Sequence, residues 1–305
     1  MKRALDFSVY ILVRLIVCML QALPLRSCAA LARVMAWLCG QVLHVRRSVL
    51  EENLASAFPA STARERRRLV RRMWEHLFLM IAEIAQAPRK IHETNWREYI
   101  TLTGSEQLLS TLLADRPAVI VTAHYGNFEL SGYLLGLLGF SSVTVARPLD
   151  NVYLDRFMHD FRATRGQFII SKHGSAQRID QLVAEGGTLT LLGDQHAGPK
   201  GCWVDFFGRP ASTHKAIALF ALVNRAPIAL CYCRRVGGPL HHIVGAEAVI
   251  DVETLDPSLQ TVPALTQWYT RVLENIIRRE PGQYWWLHRR WKDTRPKRAS
   301  QQQAA

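Results

Sequence analysis

Pro117-Ala118-Val119-Ile120-Val121-Thr122-Ala123, followed at once by His124-Tyr125-Gly126-Asn127-Phe128-Glu129, decides how the rest of the chain is read. The first run is apolar apart from one threonine and rich in β-branched residues. It is too short for a stable helix and has the pattern of a strand buried on both faces. Gly126 permits a tight turn, and residues 127–138 then read as a helix that stops at Gly139. A buried strand handed straight to a helix opens a βα unit. The alternation continues downstream, with strands at 142–146, 167–170 and 188–192 and helices at about 152–164 and 175–184. A helix over about 213–224 leads to a strand at 228–235. Gly237-Gly238 turns that strand into another at 240–249, and a long helix over about 258–279 closes the fold. This pattern predicts an α/β fold with a mostly parallel central sheet flanked by helices.

Upstream of residue 59 the composition changes. Phe7 to Leu23 is apolar apart from Ser8, Arg14 and Gln21, and a second apolar stretch runs from Cys28 to Val45. The first stretch is short for a spanning helix and carries a charge at its middle, which is costly in hydrocarbon. Arg14 and the second stretch argue against a cleaved signal peptide. The expectation is an uncleaved helical anchor that spans the membrane or lies in its interface. Pro59 ends this region, and Thr62-Ala63-Arg64-Glu65 reads as a capping box opening a helix to about residue 85. The expected organisation is a membrane-anchoring region over 1–58, an α/β domain over 59–292 and a disordered basic, Gln-rich tail over 293–305.

The formal net charge is +13, which suits a negative partner: nucleic acid, an anionic membrane or an acidic carrier. The chain lacks the sequence modules of nucleic-acid binders, so no nucleic-acid partner is expected. The arginines at 64, 66, 67, 68, 71 and 72 suit anionic headgroups or an acidic carrier as well as they suit a plain solvated face. Six scattered cysteines, with no C-x-x-C pair, suggest a reducing compartment and a body facing the cytoplasm.

In an open α/β sheet the ligand site lies beyond the carboxyl ends of the strands. Three polar clusters fall there: His124 to Glu129, Arg147-Pro148, and Gly193-Asp194-Gln195-His196. The H-x4-acid spacing is weak by itself. Eleven histidines times an acidic fraction of 25 in 305 residues gives about one match by chance. Three occur: His124/Glu129, His242/Glu247 and His288/Asp293. The second pair lies along a strand, where positions five apart face opposite ways, and the third runs into the tail. Only His124/Glu129 straddles a strand–turn–helix junction, where the side chains are expected to meet. Such a pair suits acyl transfer to an alcohol, with histidine taking the hydroxyl proton and a carboxylate fixing its tautomer. No G-x-S-x-G elbow is present, so direct attack without an acyl-enzyme is expected. Backbone N–H groups of Gly126 and Asn127, or Arg147, are the expected oxyanion donors. The site clusters lack the convergent ligands of a catalytic metal, so no metal or cofactor is expected.

His124-Tyr125-Gly126-Asn127-Phe128-Glu129 resembles the H-x4-[DE] block of glycerolipid acyltransferases, in the Glu form of the lipid A biosynthesis acyltransferases. The likeness extends to Asn53-Leu54-Ala55-Ser56-Ala57-Phe58-Pro59, Arg147-Pro148-Leu149-Asp150-Asn151, Gly193-Asp194-Gln195, Phe206-Phe207-Gly208-Arg209-Pro210-Ala211-Ser212-Thr213 and Tyr284 to Lys292, in family order. The resemblance implies an acyl carrier protein thioester as donor and a membrane lipid, a lipid A precursor, as acceptor at the cytoplasmic membrane. It implies His124 as base with Glu129 as its partner, Arg147 on a phosphate, and Asp194 and Gln195 shaping the site. The rival readings are transfer to another lipid, such as a lysophospholipid or a mannosylated inositol lipid, and a non-enzymatic basic protein bound to membrane or nucleic acid.

Overall fold

The computed structural model describes residues 2–171 and 176–292. The tail expected to be disordered, and Asp293 of the third H-x4-acid match, lie outside the described residues. Four helices come first: α1 (Lys2–Ala22), α2 (Leu25–Trp37), α3 (Arg47–Ala57) and α4 (Ala63–Lys90). The expected anchor region is thus three helices, broken at Pro24, whose ring cannot donate to a continuing helix, and at an elbow where His44 and Arg46 take left-handed backbone. The α4 capping box forms as expected. The Glu65 carboxylate accepts from Thr62 N–H at 2.7 Å, and the Thr62 hydroxyl accepts from Glu65 N–H.

Among the described residues α1 is the helix long and apolar enough to cross a membrane, with mean hydropathy 1.8 over its best window. Leu20 is its one buried residue. The charge at its middle has a seat: the Arg14 guanidinium lies 5.1 Å from the Phe157 ring centre and 5.9 Å from that of Tyr10. α1 and α2 both pack on α4, where the Gln86 amide donates to the carbonyls of Leu20 and Leu23.

The body carries strands β1 (Ile100–Thr103), β2 (Ala118–Thr122), β3 (Ser142–Ala146), β4 (Gln167–Ser171), β5 (Thr188–Leu192), β6 (Cys202–Phe206), β7 (Arg209–Thr213), β8 (Ile228–Arg235) and β9 (His242–Ile250). Seven form one sheet in the order β1-β9-β8-β2-β5-β3-β4; β6 and β7 make a separate antiparallel hairpin. All neighbours in the large sheet run parallel except β8 and β9. The α/β reading therefore holds, with one antiparallel pair at the predicted Gly237-Gly238 turn. Helices α5 (Ser105–Leu113), α6 (Phe128–Leu137), α7 (Val152–Ala163), α8 (Ala176–Ala184), α9 (Ala216–Val223) and α10 (Val262–Arg279) connect and cover the strands. Strands β1, β6 and β7 have no counterpart in the sequence pattern. β1 is a four-residue edge strand, too short to show a period.

The two faces of β2 serve different layers, as strand alternation requires. Val119, Val121 and Ala123 enter the main core with α3, α4, α9 and α10, while Ile120 packs against residues of α5 and α6. His124 continues the parity of Ile120 and Thr122.

Candidate active site

β2 and β5 are parallel neighbours in a register that pairs Thr122 with Leu192. Two residues further on, both chains leave the sheet together, and this brings His124 against Asp194. Asp194 Oδ1 lies 2.9 Å from His124 Nδ1, and its Oδ2 accepts from the His124 backbone N–H at 3.1 Å. The aspartate side chain is 3% exposed and the histidine 12%. Burial pushes the Asp194 carboxyl up, yet the His124 charge and its two hydrogen bonds hold it below the usual range. Burial pushes His124 down, but the Asp194 charge and hydrogen bond, then the Glu129 charge, leave it raised above 6.5. An ionised Asp194 only accepts, so Nδ1 carries the proton and Nε2 the lone pair. Consistent with this, the Gln195 amide lies 3.3 Å from Nε2.

The expected meeting of His124 and Glu129 is corrected here. Glu129, in the first turn of α6, turns instead to α7, where Arg162 donates to it through both Nε, at 3.0 Å, and Nη2. The carboxylate on the imidazole is Asp194. Arg162 was not singled out in the sequence because an arginine inside a helix 33 residues away carries no local signal.

The turn between His124 and α6 is anchored on every side. Gly126 takes φ +59°, and a Cβ there would lie 1.9 Å from the Cys233 carbonyl oxygen. Its N–H donates to Gln283 O, and that of Asn127 donates to Cys233 O. Both N–H groups named above as oxyanion donors are thus committed elsewhere. The Asn127 side chain is fully buried; its oxygen caps α6 at Leu130 N–H and its amide donates to Glu83 at 3.0 Å. Asn127 therefore supports the turn rather than facing a substrate. Arg147, at the carboxyl end of β3, is 82% exposed and pairs with Asp150; it stands at the surface.

Behind the turn, α4 and β8 contribute a buried polar cluster. Arg235 donates to both Glu83 oxygens at 2.6 Å and to His76 Nδ1 at 2.7 Å. Arginine can only donate, so His76 Nδ1 holds a lone pair and its Nε2–H donates to the Gly126 carbonyl at 3.0 Å. Burial and then the Arg235 charge lower His76 to about 3. Burial raises the Glu83 carboxyl, but Arg235 overrides it and holds the group far below the usual range. His242 lies 3.4 Å from Glu83, whereas Glu247 turns the other way to Arg279. The second H-x4-acid match is thus two unrelated contacts.

A strap over 283–285 closes the site from the other side. Trp285 N–H donates to the His124 carbonyl, and the rings of Trp285 and Phe128 meet the His124 ring edge-on at 5.3 and 5.1 Å. Asn53 holds the same segment through the carbonyls of Trp286 and His288, both at 2.7 Å. His196 donates its backbone N–H to His288 Nε2 at 3.0 Å. Burial, then the Arg290 charge opposing that of Asp194, bring His288 to about 4. Beneath Phe128, on the Ile120 face of β2, leucines of α5 and α6 enclose an apolar cavity of about 80 Å³.

All of these blocks fall within the 1–293 span matched by the sequence model of the bacterial lipid A biosynthesis acyltransferase family. The chain belongs to this family. Among its relatives, the lipid A biosynthesis palmitoleoyltransferase of Escherichia coli (strain K12) is 23% identical over 261 residues, covering 82% of this chain and 80% of that one. The lipid A biosynthesis lauroyltransferase of the same organism is 25% identical over 257 residues, with the same coverage of each chain. The crystal structure of a 1-acyl-sn-glycerophosphate acyltransferase from Thermotoga maritima aligns with TM-score 0.40 and 12% identity over 86% of this chain and all of that one. As a lipid A biosynthesis acyltransferase, the chain is an O-acyltransferase, and its His124–Asp194 pair stands beyond the carboxyl ends of two central strands, the place of ligand sites in open α/β sheets.

Proposed function

We propose that this acyltransferase moves a fatty acyl chain from an acyl carrier protein thioester to a hydroxyl of a lipid A precursor at the cytoplasmic face of the inner membrane. The observation that carries the reading is the lone-pair nitrogen of His124, which the Asp194 contact leaves against the exposed Gln195 amide. The acceptor hydroxyl replaces Gln195 at Nε2 and gives up its proton as its oxygen attacks the thioester carbonyl. Asp194 stabilises the imidazolium that forms. The proton then passes to the departing thiolate. In this reading Glu129 acts at one remove: held by Arg162, its charge helps to favour the imidazolium form of His124. Arg147 meets a phosphate of donor or acceptor at the rim. The cavity beneath Phe128 receives part of the alkyl chain, and the α5 leucines move to admit the rest. α1 anchors the enzyme, and the positive surface faces anionic lipid.

The test is to supply purified enzyme with acyl-carrier and coenzyme A thioesters against a lipid A precursor and a lysophospholipid. Mass spectrometry of the lipids is expected to show one added acyl ester on the precursor, with the carrier thioester preferred. Turnover of the lysophospholipid alone would overturn the acceptor assignment.

A further inference from the structure

One cavity lies apart from this chemistry. α2 runs on as a π-helical turn over Leu38–Val42, and the chain then bends by 95° into α3. Between this elbow and the N-terminal half of α4 is a polar cavity of about 490 Å³, walled by Gln41, His44, Arg47 and Arg67 with Trp74 behind them. Arg67 is nine residues before His76, or about 13 Å along the helix axis from the catalytic turn.

The lining of this cavity suits an anion. Arg47 and Arg67 are exposed, and neither has an acidic partner among the described residues; the one acid on the wall, Glu51, is taken by Arg66. Two guanidinium groups sharing a cavity repel each other, and one oxyanion between them relieves that repulsion.

The surroundings identify the carrier of that anion. Trp37, Val42 and Leu43 flank the elbow and are exposed, as is most of the apolar surface of α1. A phosphate in the cavity thus has apolar surface beside it for hydrocarbon. We infer that this cavity binds the phosphate of an anionic membrane lipid, with the lipid's chains lying against Trp37 and Leu43. The inference rests on the membrane reading of α1 and not on the acyl-transfer reading of His124.

The experiment uses the full chain in detergent, offered phosphatidylglycerol or phosphatidylcholine and analysed by native mass spectrometry. Wild type is expected to retain phosphatidylglycerol preferentially. Arg47→Ala combined with Arg67→Ala should weaken retention by about tenfold or more. Both arginines are exposed, so the double variant should keep its fold, which circular dichroism checks. His124→Ala should retain the lipid like wild type, so failure of the lipid site and failure of the catalytic reading are separable. Equal retention by the double variant, or no preference over phosphatidylcholine, overturns the inference. Thermal stabilisation by inorganic phosphate equal to that by phosphatidylglycerol overturns the assignment to a lipid in favour of a soluble phosphate.

Discussion

Replacing Asp194 by Asn leaves shape and volume almost unchanged but alters which His124 nitrogen holds the proton. The aspartate accepts from both the ring Nδ1 and the backbone N–H of His124. In Asp194→Asn the amide oxygen can serve the backbone N–H, but the NH₂ then points at Nδ1. Nδ1 must become the acceptor, and the proton moves to Nε2, where the base is needed. Losing one charge-assisted hydrogen bond to the imidazolium costs about 1.5–3 kcal/mol, or roughly 10–10²-fold in rate. The inverted tautomer costs a similar factor again, so kcat should fall by roughly 10²–10⁴-fold. There is a second signature. Asp194 raises His124 above 6.5, and the base works only when deprotonated, so wild-type kcat should rise with pH through a limb above 6.5. In Asp194→Asn burial acts with less opposition, and the limb should move to lower pH. The assay is initial rate against pH with a thioester donor and lipid acceptor, beside circular dichroism of each variant. A folded Asp194→Asn enzyme within threefold of wild-type kcat, beside an inactive Glu129→Gln, would return the partner role to Glu129.

Other expectations follow from the surroundings of the turn. Arg235→Met strips the buried Glu83 carboxyl of its guanidinium partner and should cost about 3–5 kcal/mol in denaturant unfolding; adding Glu83→Leu should recover part of that loss. His76 and His288 are held neutral in the fold, at about 3 and about 4, while the unfolded chain protonates them near 6.5. The unfolded state therefore binds more protons between those values, so stability should be full above pH 6.5 and decline as pH falls toward 4, with a shallower decline in His76→Gln. Calorimetric Tm across that range checks the sign. Gly126→Ala should inactivate the enzyme, because its Cβ meets the Cys233 carbonyl at 1.9 Å; full activity in that variant would show that the turn is not held as described.

Much of this architecture is written locally. A buried β-branched run, a glycine turn and a helical period are short-range patterns, so 117–138 announces a βα unit without help from the rest of the chain. The Thr62–Glu65 capping box, the antiparallel pair after Gly237-Gly238 and the apolar α1 are likewise contained in a few consecutive residues. Strand parity also separates His242 from Glu247 within a few residues, and the two side chains do go to different partners, Glu83 and Arg279. The partners of these residues were not legible. Asp194 reaches His124 because β2 and β5 lie side by side, although five other elements separate them in sequence. Glu129 of α6 finds Arg162 in the last turn of α7, and Glu83, Arg235 and His76 converge on the turn from a helix and a distant strand. Sequence periodicity reports which face a side chain takes on its own element. It carries no information on which element lies opposite. Strand order and helix docking decide that, and they are set by burial summed over the whole chain.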